Sequence, residues 1–156
     1  MKPLLLLDVD GVLNPTGGGV PRGFERTTIN GYELTWSPQH RVWLGELSDL
    51  FDLVWATTWE HHANRSLSPL LGLPQLPVIE FDRSSQADTR KLPAVERWVG
   101  DRALAWVDDQ LFPDAFDWAD NRSAPTLLLR PPASLGLTED HVVELREFVE
   151  SLGEQS

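Results

Sequence analysis

The amino-acid sequence predicts an α/β fold: a mostly parallel, five-stranded sheet with helices on both faces. Three observations lead there. Short apolar runs alternate with stretches whose apolar residues recur at helical spacing, the pattern of successive βαβ units with right-handed crossovers. Three of those runs stop abruptly in polar residues: Asp8 and Asp10 follow the leucines 4–7, Thr57 and Thr58 follow Ala56, and Asp108 and Asp109 follow Val107. Ligands of open α/β sheets collect at the carboxyl ends of the strands, so these are the places where chemistry is expected. At 156 residues, with no repeat, linker or low-complexity tract, the chain is expected to form a single domain over 1–156.

Residues 3–9 form the first expected strand, buried throughout. The stretch after Gly11 is broken by Pro15, Gly17, Gly18, Gly19, Pro21 and Gly23, and Asn30-Gly31 between short β-prone runs signals a two-residue hairpin turn. Ser37-Pro38 opens a helix, with Ser as cap and Pro at the first helical position, whose stripe of Val42, Leu44, Leu47, Leu50 and Phe51 carries it to about residue 50. Residues 52–57 make a second strand, and Trp59 to Leu71 a helix stopped by Gly72 and Pro74. Residues 78–81 make a short third strand, Lys91 to Val99 a helix closed by Gly100, 103–107 a fourth strand and 126–129 a fifth. Thr138 caps a last helix with the apolar stripe Val142, Leu145, Phe148, Val149 and Leu152.

Composition narrows the function. The chain has no cysteine, which excludes thiol catalysis, cysteine-ligated zinc and disulfides together, and fits a cytoplasmic location. The opening Met1-Lys2-Pro3 and four leucines are too short for a signal-peptide core and run into Asp8, and no stretch is long enough to span a membrane. The net charge of −11 repels phosphate backbones on average, which makes nucleic acid a less expected partner and implies that any phosphate site is neutralised by a bound divalent cation.

The polar strand ends are chemically coherent. One carboxylate can attack as a nucleophile, a second can trade protons, further carboxylates can hold Mg²⁺, and Thr and Lys can hold phosphate oxygens. An Asp-x-Asp-Gly also begins calcium loops, but here the fifth position is Val12 and the glycine comes two places early. His61 and His62 are adjacent on an expected helix and point in different directions, so they do not chelate one ion together. Trp36, which ends the broken segment, and Trp59, just after the second strand, stand closest to the expected chemistry.

Taken together, these residues resemble the motifs of the haloacid dehalogenase-like (HAD) superfamily. Asp8-Val9-Asp10-Gly11-Val12 is similar to motif I, Val54-Trp55-Ala56-Thr57 to motif II, Lys91 at the head of a helix to motif III, and Trp106-Val107-Asp108-Asp109 to motif IV in its double-acid form. The resemblance implies a Rossmann-like core and a Mg²⁺-dependent phosphatase. In that scheme Asp8 attacks phosphorus and Asp10 acts as general acid and base. Thr57, with Thr58 beside it, and Lys91 bind phosphoryl oxygens. Asp8, the main-chain carbonyl of Asp10, and Asp109 hold the metal, and Asp108 either supports them or orients Lys91. The intervals 14–54 and 59–90 are too short for the folded cap that many superfamily members insert, so a small flap over about 14–36 is the expected cover. Expected substrates are phosphorylated small molecules or nucleotides, with phosphoproteins open and oligomerisation undetermined. The alternatives are a non-catalytic, partner-binding HAD-like module and a nucleic-acid end-processing phosphatase.

Overall fold

The leucines 4–7 are the innermost strand of the sheet, flanked on both sides and covered on both faces. A computed structural model describes residues 1–154. Strands β1 (Leu4–Leu7), β4 (Asp52–Trp55), β5 (Leu104–Val107) and β6 (Thr126–Leu129) form one parallel sheet in the order β4-β1-β5-β6. Leu7 pairs with both Trp55 and Val107, and Val107 with Leu129. All four strands therefore end on one row, and the residues that follow leave the sheet side by side.

The period of two sorts the strand residues onto opposite faces. Leu5, Leu7, Leu53, Trp55, Ala105 and Val107 point into one core with Leu44 and Leu47 of α1 (Pro38–Leu47), Ala63 and Leu67 of α2 (His61–Leu70), and Val142 and Leu145 of α5 (Glu139–Glu154). Leu4, Leu6, Val54, Leu104 and Trp106 point into the other, with Val95 and Val99 of α3 (Leu92–Val99) and Ala115 of α4 (Pro113–Asn121). A sheet buried on both faces is why its strands read as unbroken apolar runs.

The expected hairpin forms as β2 (Glu25–Ile29) and β3 (Tyr32–Trp36), an antiparallel pair with Asn30 at φ 51 and Gly31 at φ 83. Positive φ at both central residues is the turn that matches strand twist. Leu34 anchors the hairpin in the core, and Asn30 Nδ2 donates to Ser66 Oγ of α2 at 3.0 Å.

Four expectations shift. The strand expected over 78–81 is a single bridge between Val78 and Trp55. Pro77 and Ile79 bond the two sides of Trp55, but the next amide, that of Phe81, is taken by Glu60 Oε2 at 3.0 Å, so the ladder stops and the sheet has four strands. Helix α1 ends at Leu47, and Val42 lies exposed off its buried face. Helix α2 starts at His61 rather than Trp59, because Thr57 Oγ1 captures the Trp59 amide and Glu60 sits at φ 48. Helix α4 was not expected: Ala115 is its one fully buried residue, too little to print a stripe, although Pro113 at its start and Asp114 in its first turn are start signals.

Buried polar groups are tied into this frame. Asn64 Oδ1 accepts from Trp55 Nε1, Ser68 Oγ and the Leu76 amide while its Nδ2 donates to Leu76 O, which fixes the loop after α2. His40 is buried on α1 with Nε2 donating to Leu137 O, just ahead of α5, at 2.9 Å, and its buried Nδ1 has no partner. Burial holds the imidazole below its ordinary value, since a proton on Nδ1 would find no acceptor. A His whose folded value is depressed binds fewer protons than the unfolded chain, so stability is full above 6.5 and falls as pH drops towards the folded value. Thermal melts from about pH 7.5 to about pH 5 are expected to show a steeper loss in the parent protein than in His40→Gln, and parallel curves would contradict this.

Candidate active site

The chain leaves β1 through α1 to reach β4 on one side, and leaves β5 through α4 to reach β6 on the other. The connections diverge between β1 and β5, and at such a switch point the loops part to leave a crevice. Asp8 and Asp108 stand on either side of it. Asp8 N donates to Val107 O and Asp108 N to Leu129 O, each at 3.1 Å, so the ladder continues one residue past the strands and fixes both acids.

Lys91, at the head of α3, points into this crevice. Its Nζ lies 2.9 Å from Asp8 Oδ1, 2.6 Å from Asp108 Oδ2 and 3.0 Å from Ala56 O, so the three ammonium protons meet acceptors at the ends of β1, β5 and β4. The turn before Lys91 is clamped to α4: Asp114 accepts from the amide and the hydroxyl of Thr89, and Thr89 Oγ1 accepts from the Phe112 amide.

Burial would weaken the Lys91 ammonium, but Asp8 and Asp108 outweigh it and raise it above its ordinary value. Burial pushes Asp8 well above the carboxylate range, with Asp108 adding to the rise and Lys91 opposing it; Asp108 is raised by burial too, again opposed by Lys91. Two buried acids share one cation, so further positive charge is favoured beside them.

A third acid supplies the place for it. Asp8, Asp108 and Asp109 each offer an oxygen, all within 4.8 Å of one another, the one such group among the described residues. Asp108 is committed, since Oδ1 accepts the Gln110 amide at 2.8 Å and Oδ2 accepts Lys91. Asp109 Oδ1 is buried with no hydrogen-bond partner. An orphaned buried carboxylate oxygen among hard oxygen ligands fits a divalent cation such as Mg²⁺. Gly11 makes room for it: at φ +83, a Cβ there would lie 2.4 Å from the Asp109 carboxyl carbon.

Asp10 lies outside the cluster and is exposed, held from two sides. Asn14 Nδ2 donates to Oδ1 at 2.8 Å and Trp59 Nε1 to Oδ2 at 3.1 Å, while Asn14 Oδ1 accepts the Thr35 amide and so ties the acid loop to the hairpin. Thr57 is buried at the end of β4, and Thr58 is exposed on the rim of two clefts that flank the acids. The crevice thus gathers Asp8, Lys91, Asp108 and Asp109, with Asp10 and both threonines around it. The supports from Asn14 and Trp59 were not assigned from the sequence. Asn14 is only four residues past Asp10, within one tight turn, but the pairing with Trp59 comes from the fold alone.

Residues 4–142 match the family model described as the HAD domain in Swiss Army Knife RNA repair proteins. The chain belongs to this family. It is therefore a HAD-like hydrolase domain with the α/β core that the motifs implied. No curated protein and no solved structure matches the chain significantly. Among the described residues, no helix is long and apolar enough to cross a membrane.

The space that Gly11 leaves for Asp109 can be tested in this HAD-like domain. Gly11→Ala adds about 1–2 kcal/mol of backbone strain, which a folded domain survives, and drives a methyl into the Asp109 carboxylate. Calorimetric titration with Mg²⁺ or Mn²⁺ is expected to show affinity reduced by about 10- to 100-fold, as when supports of metal ligands are removed. Unchanged affinity would show that Asp109 is not a ligand.

Proposed function

We propose that this domain is a Mg²⁺-dependent phosphomonoesterase that works through an aspartyl-phosphate on Asp8. The observation that carries the proposal is the pairing of a buried aspartate gripped by a buried lysine with an orphaned carboxylate oxygen of Asp109 in the same crevice. Asp8 and Asp109 would hold the metal, with the main-chain carbonyl of Asp10 by resemblance to the superfamily. Bound there, the cation offsets the repulsion between an anionic nucleophile and an anionic phosphate.

The chain's own residues then have defined tasks. An Asp8 carboxylate oxygen attacks phosphorus, and the bond from phosphorus to the ester oxygen breaks. Asp10 gives its proton to that leaving oxygen. The same residue, now a carboxylate, takes a proton from water as the water oxygen attacks phosphorus. The Asp8–phosphorus bond breaks, releasing inorganic phosphate and restoring Asp8. Lys91 gives up part of its grip on Asp8 to hold a phosphoryl oxygen, and the Thr57 hydroxyl holds another, with Thr58 at the entrance. Asp108 acts through Lys91, which it keeps charged and aimed.

We take the site to be without a folded cap, covered only by the β2–β3 hairpin and the loop before it. Phosphate esters carried on nucleotides or at nucleic-acid ends are favoured by two facts: the matched family is described from RNA repair proteins, and the two clefts beside the acids carry Arg83 and Arg90 despite the overall negative charge. The competing view, a binding module without turnover, has no use for an Asp10 held on both oxygens.

Purified protein is expected to release phosphate from a panel of phosphomonoesters with Mg²⁺ and to stop in EDTA. Asp8→Asn is expected to lower kcat by roughly a thousandfold or more with the fold retained. Turnover by Asp8→Asn at the parent rate, or an intact, metal-loaded protein that hydrolyses no phosphoester, would overturn the proposal.

A further inference from the structure

On the Asp10 side of the crevice lies a cleft of about 390 Å³, lined by Asp10, Tyr32, Thr58, Trp59, His62 and Arg83. Tyr32 opens the hairpin's second strand, Thr58, Trp59 and His62 lie at the entry into α2, Asp10 belongs to the loop after β1, and Arg83 to the loop before α3. The Tyr32 ring faces Trp59 at 5.1 Å between centroids, tilted by 46°, and stands 5.9 Å from His62, nearly edge-on. Tyr32 is 43% exposed, a large ring kept in solvent at the tip of a hairpin whose own core contact is Leu34.

The position of this cleft says which part of a substrate enters it. If Asp8 attacks phosphorus and Asp10 protonates the departing oxygen, the alcohol portion of the ester lies beside Asp10. The lining says what that portion is. Tyr32 and Trp59 touch, so a flat ring stacks on the solvent-exposed Tyr32 rather than between the two, and stacking of a nucleobase on such a platform tolerates any base. Arg83 adds donors: its side chain is 77% exposed and its nearest acid, Glu60, is 3.8 Å away, beyond hydrogen-bond length. A guanidinium held only by this one long ion pair keeps donors to offer a base edge or a neighbouring phosphate.

We infer that this cleft binds the base of a phosphorylated nucleoside, with Tyr32 as the stacking platform and Arg83 as the polar clamp. The inference rests on the phosphatase proposal for the direction in which the substrate lies, but the binding it describes needs no turnover. The same chemistry is offered by a free nucleotide and by the terminal nucleotide of a strand. Trp59 has a double task, since it presents its ring to the cleft while its Nε1 positions Asp10.

The test uses Tyr32→Ala and Tyr32→Phe in two settings. In the first, kcat/KM is measured for adenosine 3′-monophosphate, an oligoadenylate ending in a 3′-phosphate, glycerol phosphate and phosphotyrosine. The parent is expected to prefer the adenosine substrates. Tyr32→Ala is expected to lower their kcat/KM about tenfold or more relative to glycerol phosphate, with Tyr32→Phe restoring it, as the loss of a stacking ring predicts. A preference for the oligonucleotide places the terminal nucleotide of a strand in the cleft, and equal rates place the nucleotide alone there; both support base binding. In the second setting, adenosine 3′-monophosphate is titrated into Asp8→Asn protein with and without Tyr32→Ala. Binding that depends on Tyr32 supports the cleft even if no phosphoester is ever hydrolysed. Equal losses on all substrates, a preference for phosphotyrosine, or nucleotide binding that ignores Tyr32 would overturn the inference and leave the phosphatase proposal standing.

Discussion

One lysine ammonium between two buried carboxylates organises this molecule. Removing three charges from water costs several kcal/mol for each ion, and their attraction returns it only where every donor finds an acceptor. Here every donor does, because Lys91 meets Asp8, Asp108 and the carbonyl of Ala56 at the ends of three neighbouring strands. An apolar trio of similar volume would hold such a sheet together as well. The ionic arrangement is therefore better explained by chemistry than by stability. In the proposed mechanism it keeps the attacking carboxylate and the cation that receives the phosphate a hydrogen bond apart, with a net negative balance that favours a metal beside them.

The parts around this centre reinforce each other. The in-register strand ends bring the acids level, the switch point opens the crevice above them, and Gly11 allows the acid loop to pass close to Asp109. The hairpin is tied down near its base by Thr35 to Asn14 and at its turn by Asn30 to Ser66 of α2. Asp10 and the aromatic cleft share the residue Trp59, so under the proposed mechanism one side chain both places the proton donor and shapes the leaving-group side.

The sequence announced the sheet and the acids because both have short-range signatures. Apolar runs buried on both faces, a Ser-Pro helix start and an Asn-Gly turn are each written within a few residues, and β1, α1 and the hairpin formed where those signals lay. What stayed hidden depends on contacts between distant residues. The stretch after Pro77 fails as a strand because Glu60 intercepts an amide, Val42 points away from the face its neighbours bury, and α4 needs little burial because Thr89 and Asp114 clamp its start. The choice left open for Asp108 was of the same kind. Only the fold shows that both its oxygens are engaged, which leaves Asp109 with the unsatisfied one.

Reductive trapping reads whether Asp8 carries the phosphoryl group during turnover. Protein turning over a phosphoester with Mg²⁺ is quenched with borohydride, which converts an acyl phosphate to the corresponding alcohol, and the digested peptides are mapped by mass spectrometry. An aspartyl-phosphate on Asp8 yields homoserine at position 8, dependent on substrate and metal. Modification at another residue, or turnover with Asp8 recovered only as aspartate, would contradict it.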